Sequence, residues 1–235
     1  MTHPIVQILL AFVLILFLSG LKSRFVFELQ AISLLLTRSR KPGIVLYAVL
    51  MLPGTILHEL SHWIVAEILR VPTGPISVLP TAETISSHHG RLGSVMTAKS
   101  DPLRGSLIGL APLLTGLFAL VVLSYFFSTL WTEGPVWIVA LLVYALFVVG
   151  NSMLVSESDT RFWGISGVFL AALYYSLHKL AIPIPQSFFK FISDTFISIN
   201  LALTLTFGVE LTVIAAIFTL RKLTESLRGK RIIRA

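Results

Sequence analysis

The chain contains no cysteine. That absence excludes disulfides, zinc sites built on thiolates and a cysteine nucleophile, and it leaves the redox compartment open. Charge is scarce as well. Only 12% of the 235 residues are Asp, Glu, Lys or Arg, against 55% hydrophobic residues and a mean hydropathy of +0.90. So little charge excludes a water-soluble globule and predicts a polytopic membrane protein. The length suits one compact domain, residues 1–235, with no room for a large soluble module. No internal repeat or low-complexity tract is present. The net charge of +7 is not a nucleic-acid signal, because much of it lies in loops and a basic tail (221–235) beside apolar runs. There it favours anionic lipid and sets orientation, so the lipid bilayer is an expected partner and nucleic acid is not.

What is abundant is apolar sequence in lengths that cross a bilayer, for which a helix needs about 20 residues. The runs near 5–21, 43–69, 103–128, 135–155, 162–181 and 196–220 predict an all-α membrane bundle of about six transmembrane helices. The first run has no basic leader and no small-residue cleavage site, which predicts a retained helix. Phe25 to Leu36 is apolar but short and flanked by Lys22, Arg24, Arg38, Arg40 and Lys41, so it is expected to lie in the interface or dip into the protein. The 70–104 segment is the one long polar connection. Ile76-Ser77-Val78-Leu79 and Gly90 to Ala98 have strand-like composition and predict a small surface β-hairpin. The loops on the side of this segment carry more basic residues than the opposite loops, which places that side in the cytoplasm.

Inside the second run stands His58-Glu59-Leu60-Ser61-His62, an HExxH motif. Residues four apart share a helix face, so the two imidazoles can meet one metal ion. Glu59 lies roughly 100° round the helix, beside that ion, where it can take a proton from water. Ionisable residues in a membrane helix are costly and mark function more often than packing. Pro53-Gly54 just before the motif predicts a kink. At about 1.5 Å per residue, the histidines lie roughly 10–17 Å below the end of the helix near Leu69.

A hydrolytic zinc site takes three protein ligands and leaves a position for water. The metzincin spacing is excluded, because Val65 and Ile68 stand where glycine and histidine would be needed. Glu67 is too far along the same helix to close on the ion. Glu157 and Asp159, which follow the fourth run, are both candidates for the third ligand. His88-His89 reads as solvated loop and His178 as interfacial. Glu210, in the middle of the last run, could pair with a basic residue or serve as a proton or ion site. Gly105 and Gly109 form a small-xxx-small face for close helix packing.

At these residues the chain resembles the site-2 protease family of intramembrane zinc metalloproteases. The family pairs HExxH with a later Asn-x-x-Pro-x-x-x-Leu-Asp-Gly stretch, and Asn151-Ser152-Met153-Leu154-Val155-Ser156-Glu157-Ser158-Asp159 keeps its asparagine and aspartate. Leu154 replaces the proline, and Ser158 and Thr160 flank the aspartate. Gly109-Leu110-Ala111-Pro112 and Gly116 are similar to the family's glycine- and proline-bearing helix. The likeness covers roughly residues 43–165. It implies Zn²⁺ held by His58, His62 and Asp159, Glu59 as the catalytic base, Asn151 beside the substrate path, and a transmembrane protein as substrate. The function expected is therefore an intramembrane zinc metallopeptidase with its site open to the cytoplasm. The competing expectation is a non-catalytic membrane protein of the same fold, acting as a metal or ion carrier or as an assembly partner.

Overall fold

The structure is a computed structural model that describes residues 4–79, 93–98, 100–153 and 185–229, with single positions at 168, 172, 175, 176, 179 and 232. Five helices and one hairpin make up these residues: α1 Pro4–Thr37, α2 Lys41–Ile68, β1 Thr73–Ser77, β2 Ser94–Thr97, α3 Pro102–Leu130, α4 Val136–Ser152 and α5 Gln186–Arg228. Four of the helices, α1, α2, α3 and α5, are long and apolar enough to cross a membrane, and α4 is a shorter apolar helix of 17 residues. The expected run at 162–181 lies almost wholly outside the described residues.

One expectation is corrected. Phe25 to Leu36 is not a separate interfacial segment but the second half of α1, a single helix of 34 residues. At about 1.5 Å per residue α1 is about 51 Å long, well over the roughly 30 Å of a hydrocarbon core. Arg24 and Glu28, at this junction, are held by partners. Arg24 Nη2 lies 2.7 Å from Glu28 Oε1, and Glu28 Oε2 accepts from Arg221 Nε at 2.6 Å. Once these groups are paired, nothing in Lys22-Ser23-Arg24 stops a helix. Helix α5 is longer than its expected 196–220, at 43 residues.

The helices pair by register. Helix α5 runs parallel to α1 with a constant offset of 193 residues: Asn200 donates to Gln7, Arg221 to Glu28 and Arg228 to the Leu35 carbonyl. Helix α4 runs parallel to α2 with an offset of 94, through Tyr144 Oη to Leu50 O and His58 to Ser152 O. The α1–α2 turn is tight. Arg38 adopts φ 59°, Ser33 Oγ bonds Ser39 O, and Pro42 stands in the first turn of α2. A Cβ on Gly43 would sit 2.5 Å from Leu29 O, so only glycine lets α2 start against α1.

Three apolar clusters hold the described bundle, the smallest of them Ala66, Val71 and Ile108 between α2 and α3. Leu18, Leu120, Leu146, Met153 and Leu203 centre the first, and Phe25, Tyr47, Met51, Phe147 and Ile214 the second. Large apolar side chains such as Phe12 and Phe17 on α1 or Leu114 and Phe118 on α3 point outward. A lipid-facing surface accounts for them, since acyl chains solvate them as well as a core would.

The surface hairpin is present. β1 and β2 pair antiparallel, with Thr73 opposite Thr97, Ile76 opposite Val95 and Ser77 opposite Ser94. Its first strand begins three residues before the expected Ile76 and stops at Ser77. The ladder is irregular between Thr73 and Ile76, where Pro75 has no N–H to donate. Asp101 caps α3, its carboxylate accepting from the Leu103 and Arg104 N–H groups at 3.1 and 3.0 Å. Those backbone hydrogen bonds, with the Arg104 guanidinium, hold its carboxyl below the usual range.

Candidate metal centre

Helix α2 runs unbroken from Lys41 to Ile68, so His58, Glu59 and His62 occupy consecutive turns of one helix. The two imidazole rings come together, with centroids 4.9 Å apart and planes at 81°. Each ring is aimed by a carbonyl from a different helix. His58 Nδ1 lies 2.7 Å from Ser152 O, and His62 Nδ1 lies 2.8 Å from Ile108 O. A carbonyl can only accept, so both Nδ1 atoms carry a proton, and in the neutral ring the lone pair is then on Nε2. A neutral ring fixed in this way is the form that binds metal, and such outer-shell bonds set its tautomer and direction.

Both carbonyls are available for local reasons. In a helix, Ile108 O would accept from the N–H of residue 112, but Pro112 has none. The carbonyl is left without its intrahelical donor, and His62 supplies one. Ser152 is the last residue of α4, and the final carbonyls of a helix have no partner within it. His58 takes the one that faces α2.

Glycines bring the end of α4 to this place. A Cβ on Gly54 would meet Ser152 Cβ and Val148 Cγ1 at 2.7 Å, and one on Gly116 would meet Met153 Cβ at 2.4 Å. On the far side, a Cβ on Gly150 would meet Thr206 Oγ1 at 2.7 Å, and that hydroxyl donates to Leu146 O. Gly54, read in the sequence as part of a kink, is thus also the seat of α4.

Glu59 is buried, 6% exposed, and the hairpin covers it. A Cβ on Gly93, the residue preceding β2, would lie 2.6 Å from Glu59 Oε1 and 2.9 Å from Ser77 O. The backbone of the hairpin therefore passes directly over the carboxyl of the motif.

The remaining candidates divide as follows. Asn151 is buried at the end of α4, its Nδ2 donating to Phe147 O at 3.0 Å. Glu67 is exposed and accepts from Thr73 Oγ1 at 2.7 Å, which ties α2 to the hairpin. Glu210 is fully buried in α5. Asp159, Glu157, His88, His89 and His178 lie outside the described residues. Among the described residues no third His, Asp or Glu joins His58 and His62 as a metal-ligand group. The residues that sequence reasoning missed are Ser152 and Ile108, which act through backbone carbonyls and so leave no trace in side-chain identity, and Gly93. Pro112 was the one available signal for Ile108. We found no match to this chain among protein-family models, curated proteins or solved structures.

Proposed function

We propose that this protein is an intramembrane zinc metallopeptidase, as the likeness of its motifs to those of site-2 proteases implies. The observation that carries the reading is the pair of imidazoles on one helix face, each with its Nδ1 proton on a carbonyl of another helix. Two histidines fixed in the metal-binding tautomer, with ring centroids 4.9 Å apart, fit a zinc ion. His58 and His62 would hold the ion, with Asp159 as the third ligand. Ser152, whose carbonyl holds His58, stands seven residues before Asp159 in the sequence. When bound, zinc supplies Lewis acidity, polarising the scissile carbonyl and making water acidic enough to attack near neutral pH.

The chain's own residues do the rest. Glu59 takes a proton from the attacking water and gives it to the leaving amine. The hairpin over Glu59 limits access to that carboxyl, so the substrate has to enter as locally unwound chain. A transmembrane or membrane-proximal segment with helix-breaking residues meets that need, because helical backbone is already hydrogen-bonded. The expected cytoplasmic mouth of the site loses its loop-charge support, because α5 runs parallel to α1 and so carries the basic tail to the side of the α1–α2 turn, opposite the hairpin.

The test is metal content together with cleavage of a model transmembrane substrate. The wild type should carry about one zinc per chain, and His58→Ala and His62→Ala should each lose most of it. Glu59→Gln should keep the metal and lose cleavage. Asp159→Asn should lose both, while Glu157→Gln should lose neither. Full zinc occupancy in both histidine variants would refute the site.

A further inference from the structure

Helix α5 is longer than a bilayer requires. Its 43 residues extend about 64 Å at about 1.5 Å each, against roughly 30 Å of hydrocarbon. The apolar run ends at Leu220, and the last two turns, Arg221 to Arg228, carry charge. The acids at this level are consumed inside the protein. Glu225 is held by Arg221 and Lys222, and Glu28 by Arg221 and Arg24. The outer face of the same turns is apolar. Leu223 and Leu227, one turn apart on one side of the helix, are 58% and 88% exposed. Leucines exposed to that degree beyond the span call for a further apolar medium.

Cations gather around this face from both ends of the sequence. The Arg228 guanidinium donates to the Leu35 carbonyl, which seats the end of α5 beside the α1–α2 turn. That turn presents Arg38, Arg40 and Lys41, all exposed. It is pinned, because Ser33 Oγ donates to Ser39 O at 2.8 Å and accepts from the Gly43 N–H at 3.1 Å. Among the described residues, no ion pair involves Arg38, Arg40, Lys41 or Arg228. Arg38 and Arg228 suit the C-terminal ends of α1 and α5, whose dipoles favour cations. Arg40 and Lys41 stand at the start of α2, where a cation is disfavoured and the first turn holds no acid. Helix α2 itself gains nothing from them. At the opposite end of the bundle Arg104 is paired with Asp101 at 3.2 Å.

Apolar side chains rimmed by arginine and lysine are the composition of a helix that lies among lipid headgroups. A guanidinium fork matches two oxygens of one phosphate, and an anionic surface attracts each cation further. We propose that the end of α5 and the α1–α2 turn form one anchor for an anionic phospholipid surface. Leu223 and Leu227 reach the acyl chains, and Arg38, Arg40, Lys41 and Arg228 hold the phosphates. The anchor is independent of the zinc-site reading, since His58 stands about 25 Å along α2 from Lys41.

The experiment uses the full chain, which has no cysteine, with Ser226→Cys carrying an environment-sensitive fluorophore at this exposed position. In vesicles, quenching by brominated phosphatidylglycerol is compared with quenching by brominated phosphatidylcholine of the same chains. The probe should report a preference for phosphatidylglycerol of about fivefold or more, the effect of one cation at a membrane surface. That preference should fall towards one in Arg38→Gln/Arg40→Gln/Lys41→Gln and persist in Arg70→Gln. A probe at Phe118→Cys, on the outward face of α3, should show no preference. Equal quenching by the two lipids at Ser226→Cys overturns the proposal, and so does the same preference at both probes. Absence of quenching by either lipid, with a dimer that Leu223→Ser/Leu227→Ser converts to monomer, would assign the leucines to a second copy of the chain and overturn it as well.

Discussion

At the scale of single residues, the histidine pair depends on atoms that belong to the backbone. His62 has a fixed tautomer because Pro112 cannot donate to Ile108 O, which leaves that carbonyl for the imidazole. Proline inside a helix ordinarily destabilises it, by about 3 kcal/mol in host peptides. Pro112→Ala should therefore move two readouts in opposite directions. The new N–H competes for Ile108 O, so zinc affinity should fall about tenfold or more, the usual effect of losing an outer-shell partner. The thermal midpoint should hold or rise. A variant that keeps full affinity would show that the His62–Ile108 bond does not position the ligand.

At the scale of elements, α1 and α5 form one unit, and a buried ion cluster fixes their register. Arg221 sits between Glu28 at 2.6 Å and Glu225 at 2.5 Å, with all three side chains at most 4% exposed, and its guanidinium lies over the Phe218 ring at 5.1 Å. Removing Arg221 leaves buried Glu28 with only Arg24 and buried Glu225 with only Lys222, both of them partly or well exposed cations. Arg221→Met should cost about 3–5 kcal/mol, seen as a large drop in the thermal midpoint in detergent. The triple variant Glu28→Gln/Arg221→Met/Glu225→Gln should recover much of that loss. If it does not, the cluster sets the pairing of α1 with α5 and does more than compensate its own burial.

The hairpin is the second element with a specific consequence. Gly93 lies where any side chain would collide with Glu59, 2.6 Å from its Oε1. Gly93→Ala should leave zinc content intact while cutting cleavage by an order of magnitude or more, since about 1.4 kcal/mol of misplacement is already tenfold in rate. Equal losses of metal and activity would instead mean that the hairpin supports α2 as a whole.

At the scale of the whole molecule, four helices among the described residues are long and apolar enough to cross a membrane, and their outward apolar side chains are compatible with an integral membrane protein. The lack of native thiols makes its orientation directly measurable. Thr97→Cys, on exposed β2, would be the only reactive sulfur in the chain. An impermeant thiol reagent should label it in inverted vesicles and not in intact cells if the hairpin faces the cytoplasm. The reverse pattern would turn the site to the other side.

The sequence by itself determined the class of the protein and the chemistry available to it. Low charge and long apolar runs require lipid as solvent, and HExxH spacing puts two imidazoles on one helix face wherever the helix lies. The hairpin was legible because alternation and turn residues are local properties. The extent of α1 was not, because Lys22 and Arg24 read as the flank of a separate interfacial segment, and the Arg221 that joins Arg24 on Glu28 comes from 193 residues away. Only the tertiary structure decided which way the imidazoles point, since that depends on carbonyls of Ser152 and Ile108 carried in from other helices. It also decided that Gly54, Gly116 and Gly150 let the end of α4 seat beside the motif. Side-chain identity encodes what a residue can do, and the packing of distant backbone settles which partner it does it with.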